Sequence, residues 1–228
     1  LNRPARGLDP MAGPCARVVR FIKLMAHLDT APWASGRFEA NAAVLRRLAA
    51  AHMPIIAGTN SPPEAAYRLL GDNYADTKNV IWITNRQQGK TSTLAKFLAA
   101  LSVLSPVGGN LMCVYSTSLD RAQELTRSAK KYIYWLSDGD GAAFCRSIGV
   151  EPPVFAQDNE RAFTLVATGG VRNTVLSRPR NPDSCRGDAP HAAIFDEIGF
   201  VTSDFWYKFA YPLLQVGQRV FTCATTPP

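Results

Sequence analysis

Residues 79–94 read Asn-Val-Ile-Trp-Ile-Thr-Asn-Arg-Gln-Gln-Gly-Lys-Thr-Ser-Thr-Leu, and this stretch constrains the fold more than any other. The run 80–83 is β-branched and aromatic, the composition of a buried strand. Downstream, Leu94, Phe97, Leu98, Leu101 and Leu104 recur at helical spacing and give one apolar face. Between strand and helix lies Gly89-Lys90-Thr91. A helix N-terminus offers unpaired N–H groups and the positive end of a dipole, which together favour an anion. Gly89 lets the backbone approach phosphate without a Cβ, Lys90 reaches the β- and γ-phosphates, and the Thr91 hydroxyl can ligate Mg²⁺. The cradle predicted here comprises Thr84, Asn85, Arg86, Gln87, Gln88, Gly89, Lys90 and Thr91. It departs from G-x-x-x-x-G-K-[ST] at one place, because Thr84 stands where the first glycine would be.

A second signal lies far downstream, where Ala192-Ala193-Ile194-Phe195 runs into Asp196-Glu197. Continuous apolar runs are the mark of strands buried on both faces of a parallel sheet, and ligands gather beyond the carboxyl ends of such strands. Asp196 is therefore expected beside Lys90 and Thr91, suited to holding Mg²⁺ directly or through water. Glu197 is placed to orient and deprotonate an attacking water. The two motifs together predict an ATP- and Mg²⁺-dependent hydrolase with Lys90 and Glu197 as catalytic residues.

Arg86-Gln87-Gln88-Gly89-Lys90-Thr91 resembles the R-Q-x-G-K-T phosphate loop in the large subunit of viral terminases, the motors that package double-stranded DNA into herpesvirus and tailed-phage capsids. Cys185-Arg186-Gly187-Asp188 resembles that family's Arg-Gly segment ahead of its Asp-Glu strand. Val220-Phe221-Thr222-Cys223-Ala224-Thr225-Thr226-Pro227 resembles its coupling motif, and Met112-Cys113-Val114-Tyr115-Ser116-Thr117-Ser118 its second strand. The likeness covers residues 75–228 and departs at Pro228 and in the lack of a glutamine adenine-binding motif upstream. It implies an N-terminal ATPase domain with the α/β P-loop NTPase fold of the additional-strand catalytic-glutamate type. A mainly parallel central sheet flanked by helices is expected, the last strand inserted between the phosphate-loop strand and the Asp-Glu strand, with a helical N-terminal region.

The resemblance also implies that Arg86 acts as an arginine finger in cis and that Thr225 and Thr226 couple hydrolysis to movement. Arg186 stays open between reading nucleotide state and tying its loop to an acid such as Asp188. The partners implied are double-stranded DNA, the capsid portal and other terminase subunits, with a homo-oligomer in the active motor and no membrane. A nuclease domain would follow in such a protein. The Arg/Ala/Pro-rich start and the spacing from Arg-Gly-Asp to Asp-Glu lean toward the herpesvirus side and a host nucleus; the phage side would mean host cytoplasm.

Charge and composition are compatible with this reading. Lys and Arg number 25 against 18 Asp and Glu, a net +7, and most of the excess lies in residues 1–60. A basic excess suits a polyanion and also serves solubility alone. Five cysteines without a C-x-x-C suggest neither a disulfide framework nor a zinc site, hence a reducing compartment. His27, His52 and His191 are scattered and are assigned no chemistry. No apolar run approaches a membrane span.

Residues 1–60 are expected as a basic, partly helical or disordered region with helices over 16–28 and 38–52, and 61–228 as the ATPase domain, truncated at its C-terminus. A helix is predicted over 64–70. Thr117, with Asp120 three residues on, predicts a cap for a helix through Ala122, Leu125, Ala129, Tyr132 and Leu136. Residues 138–141 read as a turn, 163–167 and 173–177 as a hairpin about Thr168-Gly169-Gly170, and 178–182 as a loop. Strands separated by helices argue for right-handed crossovers. Tyr132, Tyr134, Trp135, Phe205, Trp206 and Tyr207 could stack on bases, but aromatics at this spacing are more often core or interface. Two other functions fit the motifs: a nucleotide-gated DNA-binding or assembly module with little turnover, favoured by Thr84, and a helicase-like ATPase.

Overall fold

In a computed structural model the described residues are 13–34, 38–71, 79–85, 87–106, 109–179, 181, 185, 187–197, 199, 202–212 and 220–225. The chain opens with helices α1 (Pro14–Leu28), α2 (Phe38–Ala51), α3 (Met53–Ala57) and α4 (Glu64–Arg68). Then follow β1 (Asn79–Ile83), α5 (Lys90–Leu104), β2 (Asn110–Ser116), α6 (Leu119–Ser137) and α7 (Gly139–Ser147). The remainder comprises β3 (Val154–Asp158), β4 (Ala162–Ala167), β5 (Val171–Pro179), β6 (Ala192–Asp196) and β7 (Val220–Thr225). A helical segment, Ser203–Phe205 running into π-helical Trp206–Ala210, lies between β6 and β7.

All seven strands join one sheet in the order β1-β7-β6-β2-β5-β4-β3. The pairs from β1 across to β5 are parallel, and β4 and β3 add on antiparallel. The last strand lies between β1 and β6, as expected for the additional-strand class of P-loop fold.

Strand alternation sorts the side chains into two layers. Val80 and Trp82 of β1, Met112 and Val114 of β2, Ala192 and Ile194 of β6 and Ala224 of β7 share a large cluster with α5 and α6. Cys113, Tyr115, Ala193, Phe195 and Cys223 face the other way and pack with Phe205, Phe209 and Ala210. Helix α5 is buried almost all round, which is why its apolar residues extend beyond one face. At β1 only one face is covered, and Ile81 and Ile83 stand 63% and 62% exposed.

The helices of residues 13–57 lie against α5. Phe21 meets Phe97 edge to face at 5.7 Å, and Asp29 at the end of α1 pairs with the buried Lys96. Several local expectations shift. Ser118, not Thr117, caps α6 by accepting from the Arg121 N–H. The predicted turn at 138–141 is the start of α7, because Asp138 accepts from the Gly139 N–H and caps a helix there. Arg178 and Pro179 continue β5, where a loop was expected, while residues 180 and 182 lie outside the described residues. Strand β3 was not anticipated. The hairpin of β4 and β5 forms as expected, with Gly169 and Gly170 at φ of 80° and 77° supplying the left-handed backbone of its turn. Of the aromatic groups, Tyr132 and Phe205 are buried, whereas Tyr134 and Tyr207 are 52% and 71% exposed.

His52 has no exposure; its Nδ1 lies 2.8 Å from the Leu48 carbonyl oxygen, and Nε2 has no protein partner. Burial pushes its pKa down from 6.5 to about 4, against the smaller opposing effect of the Leu48 bond. A base with a depressed folded pKa contributes stability that is complete above pH 6.5 and is lost as pH falls through about 4. At 1.36 kcal/mol per unit this is about 3 kcal/mol. Denaturant titrations at pH 7 and pH 4 are expected to show His52→Leu losing less stability on acidification than wild type, by roughly this amount. Equal losses would mean that His52 titrates alike in the folded and unfolded chain.

Candidate active site

Three strand ends lie side by side. Ile83 of β1 is in register with Thr225 of β7, and Ala224 with Asp196 of β6. The Thr84 N–H donates to the Thr225 carbonyl at 3.1 Å, carrying the pairing one residue past β1. The chain then turns back into α5. Gln87 is left-handed at φ 64°, and Gly89, the N-cap of α5, has φ 76° and ψ 23°. The N-cap is Gly89, which has no side chain to cap the helix, and the first turn holds no acid, so the helix N-terminus with its dipole favours an anion.

Lys90 is buried, its Nζ 3.5 Å from the Thr84 carbonyl oxygen and 3.3 Å from that of Asn85. Thr84, Gly89 and Thr91 are half-buried, and Asn85, Gln87 and Gln88 are exposed. Arg86, Arg186 and Thr226, with Pro227 and Pro228, lie outside the described residues.

Asp196 ends β6 at 8% exposure. Burial first, and then the Glu197 charge, raise its pKa to about 6; Lys90 opposes them, Glu124 of α6 adds to them, and the Glu197 backbone N–H lowers it. That balance puts Lys90, Asp196 and Glu197 in one electrostatic neighbourhood. Glu197 has φ 59°, in the region side chains rarely adopt. Two residues on, the Gly199 N–H donates to Thr225 Oγ1 at 2.9 Å, tying the turn after β6 to the end of β7.

The residues suit Mg²⁺ in one specific respect: Asp196 Oδ1 is buried without a protein partner. Among the described residues no group of three or more His, Cys, Asp or Glu could hold a metal ion. A cation here would draw most of its ligands from phosphate and water, as Mg²⁺ commonly does.

Asp188, weighed above as a partner for Arg186, accepts two bonds from Arg178 of 2.9 and 3.0 Å, while Arg186 lies outside the described residues. Glu124 and Ser116 border the site and were not singled out from sequence. Glu124 lies one helical turn beyond the Asp120 that marked the start of α6, which was its only signal.

No protein-family profile matches the chain, and no curated protein matches it. Among solved structures it is similar to the large terminase ATPase domain of Thermus phage P74-26, in a point mutant, with 15% identity and a TM-score of 0.50. That match covers 66% of this chain and 60% of the other, so the chain spans less than two thirds of the structure it resembles. It is also similar to the HK97 bacteriophage large terminase, with 18% identity and a TM-score of 0.47 over 71% of this chain and 32% of that one. At 15% identity the P74-26 likeness speaks for the fold alone: an α/β P-loop NTPase fold with a mostly parallel sheet flanked by helices. The P74-26 structure is a phage protein and does not support the lean toward the herpesvirus side or a host nucleus. That lean rested on composition and motif spacing, which do not fix lineage. No described helix is long and apolar enough to cross a membrane.

Proposed function

We propose that this chain is the ATPase domain of a terminase-type motor, hydrolysing ATP to move double-stranded DNA into a viral capsid. One observation carries the reading. The N-terminus of α5, entered through Gly89 and bearing Lys90, lies near the end of the buried strand bearing Asp196 and Glu197, and the inserted β7 lies between β1 and β6. Residues 84–91 form the phosphate cradle, with Lys90 on the β- and γ-phosphates. Thr91 and Asp196 hold Mg²⁺, which when bound neutralises charge on the phosphate oxygens. Glu197 orients and deprotonates the attacking water, and Arg86 stabilises charge on the transferring γ-phosphate. Residues 61–228 form the ATPase domain, and the helices of residues 1–60 brace α5.

Coupling is assigned to Thr225 and Thr226. The hydrogen bond from Gly199 to Thr225 links the turn holding Glu197 to the end of β7. A change of phosphate occupancy beside Glu197 can therefore bias the β7 end between two bonded states, as a coupled motion requires. The motor would work as a homo-oligomer with the portal and other terminase subunits, gripping DNA through its phosphates with little sequence preference.

Lys90→Ala tests the site. A charged hydrogen bond is worth about 1.5–3 kcal/mol, so affinity for Mg²⁺·ATPγS by calorimetry is expected to fall roughly 10- to 100-fold. An unchanged affinity would take Lys90 out of the cradle. A wild type that binds the nucleotide but never hydrolyses it, even in the assembled motor on DNA, would favour the binding-module reading.

A further inference from the structure

β2 and β6 are parallel neighbours, and Tyr115 is the register partner of Phe195. The next position on each strand is Ser116 and Asp196. The Tyr115 and Phe195 rings stack with centroids 4.8 Å apart, in the layer covered by Phe205 and Phe209. Successive side chains point to opposite faces, so Ser116 and Asp196 both turn toward the α5 and α6 side. Ser116 is 2% exposed and Asp196 8%. Ser116 Oγ and Asp196 Oδ1 are each buried without a protein partner. Such atoms are few in folded proteins and are normally satisfied by water or an ion. Here two of them occupy adjacent positions at one end of the sheet.

We propose that Ser116 is a positioning residue for Asp196, the two side chains sharing one water molecule that fixes the orientation of the carboxylate. Neither oxygen has a protein partner, so the two are not directly bonded, and one water between them satisfies both. The donors balance: the Ser116 hydroxyl donates to the water, which donates one of its hydrogens to Oδ1. The remaining carboxylate oxygen is left to the Glu197 backbone N–H and the cation side of the site. Outer-shell partners of this kind orient a metal-binding carboxylate and set how well the site holds its ion. The proposal rests on reading Asp196 as the acid of the nucleotide site.

The test is Mn²⁺ binding in the presence of ATPγS, followed by electron paramagnetic resonance, with ATPγS affinity in EDTA measured in parallel. Ser116→Ala is expected to raise the Mn²⁺ dissociation constant roughly tenfold and to leave affinity in EDTA unchanged. Ser116→Thr, which keeps the hydroxyl, is expected to retain wild-type Mn²⁺ binding. The proposal is overturned alone by wild-type Mn²⁺ affinity in the alanine variant, by equal weakening with and without metal, or by a threonine variant as weak as alanine. A wild type that binds no Mn²⁺ with ATPγS overturns the nucleotide-site reading and the proposal with it.

Discussion

Glu197→Gln is expected to bind Mg²⁺·ATP as wild type does and to hydrolyse it at least ~100-fold more slowly, since a positioned general base contributes about 10²–10⁴-fold. The amide keeps the size and shape of the carboxylate but cannot take the water's proton. The backbone gives a second reason to prefer glutamine to alanine or glycine. Glu197 is left-handed at φ 59° and is followed by the hydrogen bond from Gly199 to Thr225. Glycine would relieve whatever strain that conformation carries and alter the turn itself. Loss of turnover in Glu197→Gln is therefore chemical, with the turn left in place. Phosphate release in the assembled motor, alongside nucleotide affinity, separates the two effects. A variant that turns over at the wild-type rate would remove Glu197 as the base.

Arg86→Ala is expected to lower kcat by roughly 10³-fold, the lower end of the range for arginine fingers, while ATP affinity stays within about tenfold. Charge on the γ-phosphate oxygens is reorganised in the transition state, and a guanidinium that meets it there accelerates the reaction without tightening the ground state. Arg86 is flanked by Asn85, whose carbonyl faces Lys90, and by the left-handed Gln87, so its chain position lies inside the turn that leads into α5. Arg86→Lys is expected to recover little, because an ammonium lacks the planar fork of donors. Single-turnover hydrolysis with Mg²⁺·ATP makes the measurement, and an unchanged kcat would return Arg86 to an ordinary surface cation.

β2 and β6 were legible in sequence because strands buried on both faces leave continuous apolar runs. β1 gave the same apolar run although only one of its faces is covered and Ile81 and Ile83 are exposed. The place of β7 between β1 and β6 was not readable from its own residues and came only through the resemblance to terminases. β3 escaped because Val154–Asp158 is a largely exposed edge strand with little apolar alternation to detect. α7 was mistaken for a turn because Asp138-Gly139-Asp140-Gly141 has turn composition, and the same aspartate serves equally as a helix cap.

At the site, the grouping of Lys90, Asp196 and Thr225 follows from motif order and strand topology together. The left-handed backbone at Glu197 was hidden, since the usual marker of such a position is glycine or asparagine. Ser116 was hidden too: a serine at a strand end carries no signal until its neighbour across the sheet is known.

The central claim is that a nucleoside triphosphate lies between the turn of residues 84–91 and the end of β6. A crystal structure of the chain with Mg²⁺ and ATPγS tests it most directly. The β- and γ-phosphates are expected at the N-terminus of α5 within reach of Lys90 Nζ, the metal near Thr91 and Asp196, and Glu197 facing the γ-phosphate. Nucleotide bound elsewhere would contradict it, for instance in the apolar cavity of about 230 Å³ that Phe21, Met25 and Leu45 line between α1 and α2, with the α5 N-terminus bare of phosphate.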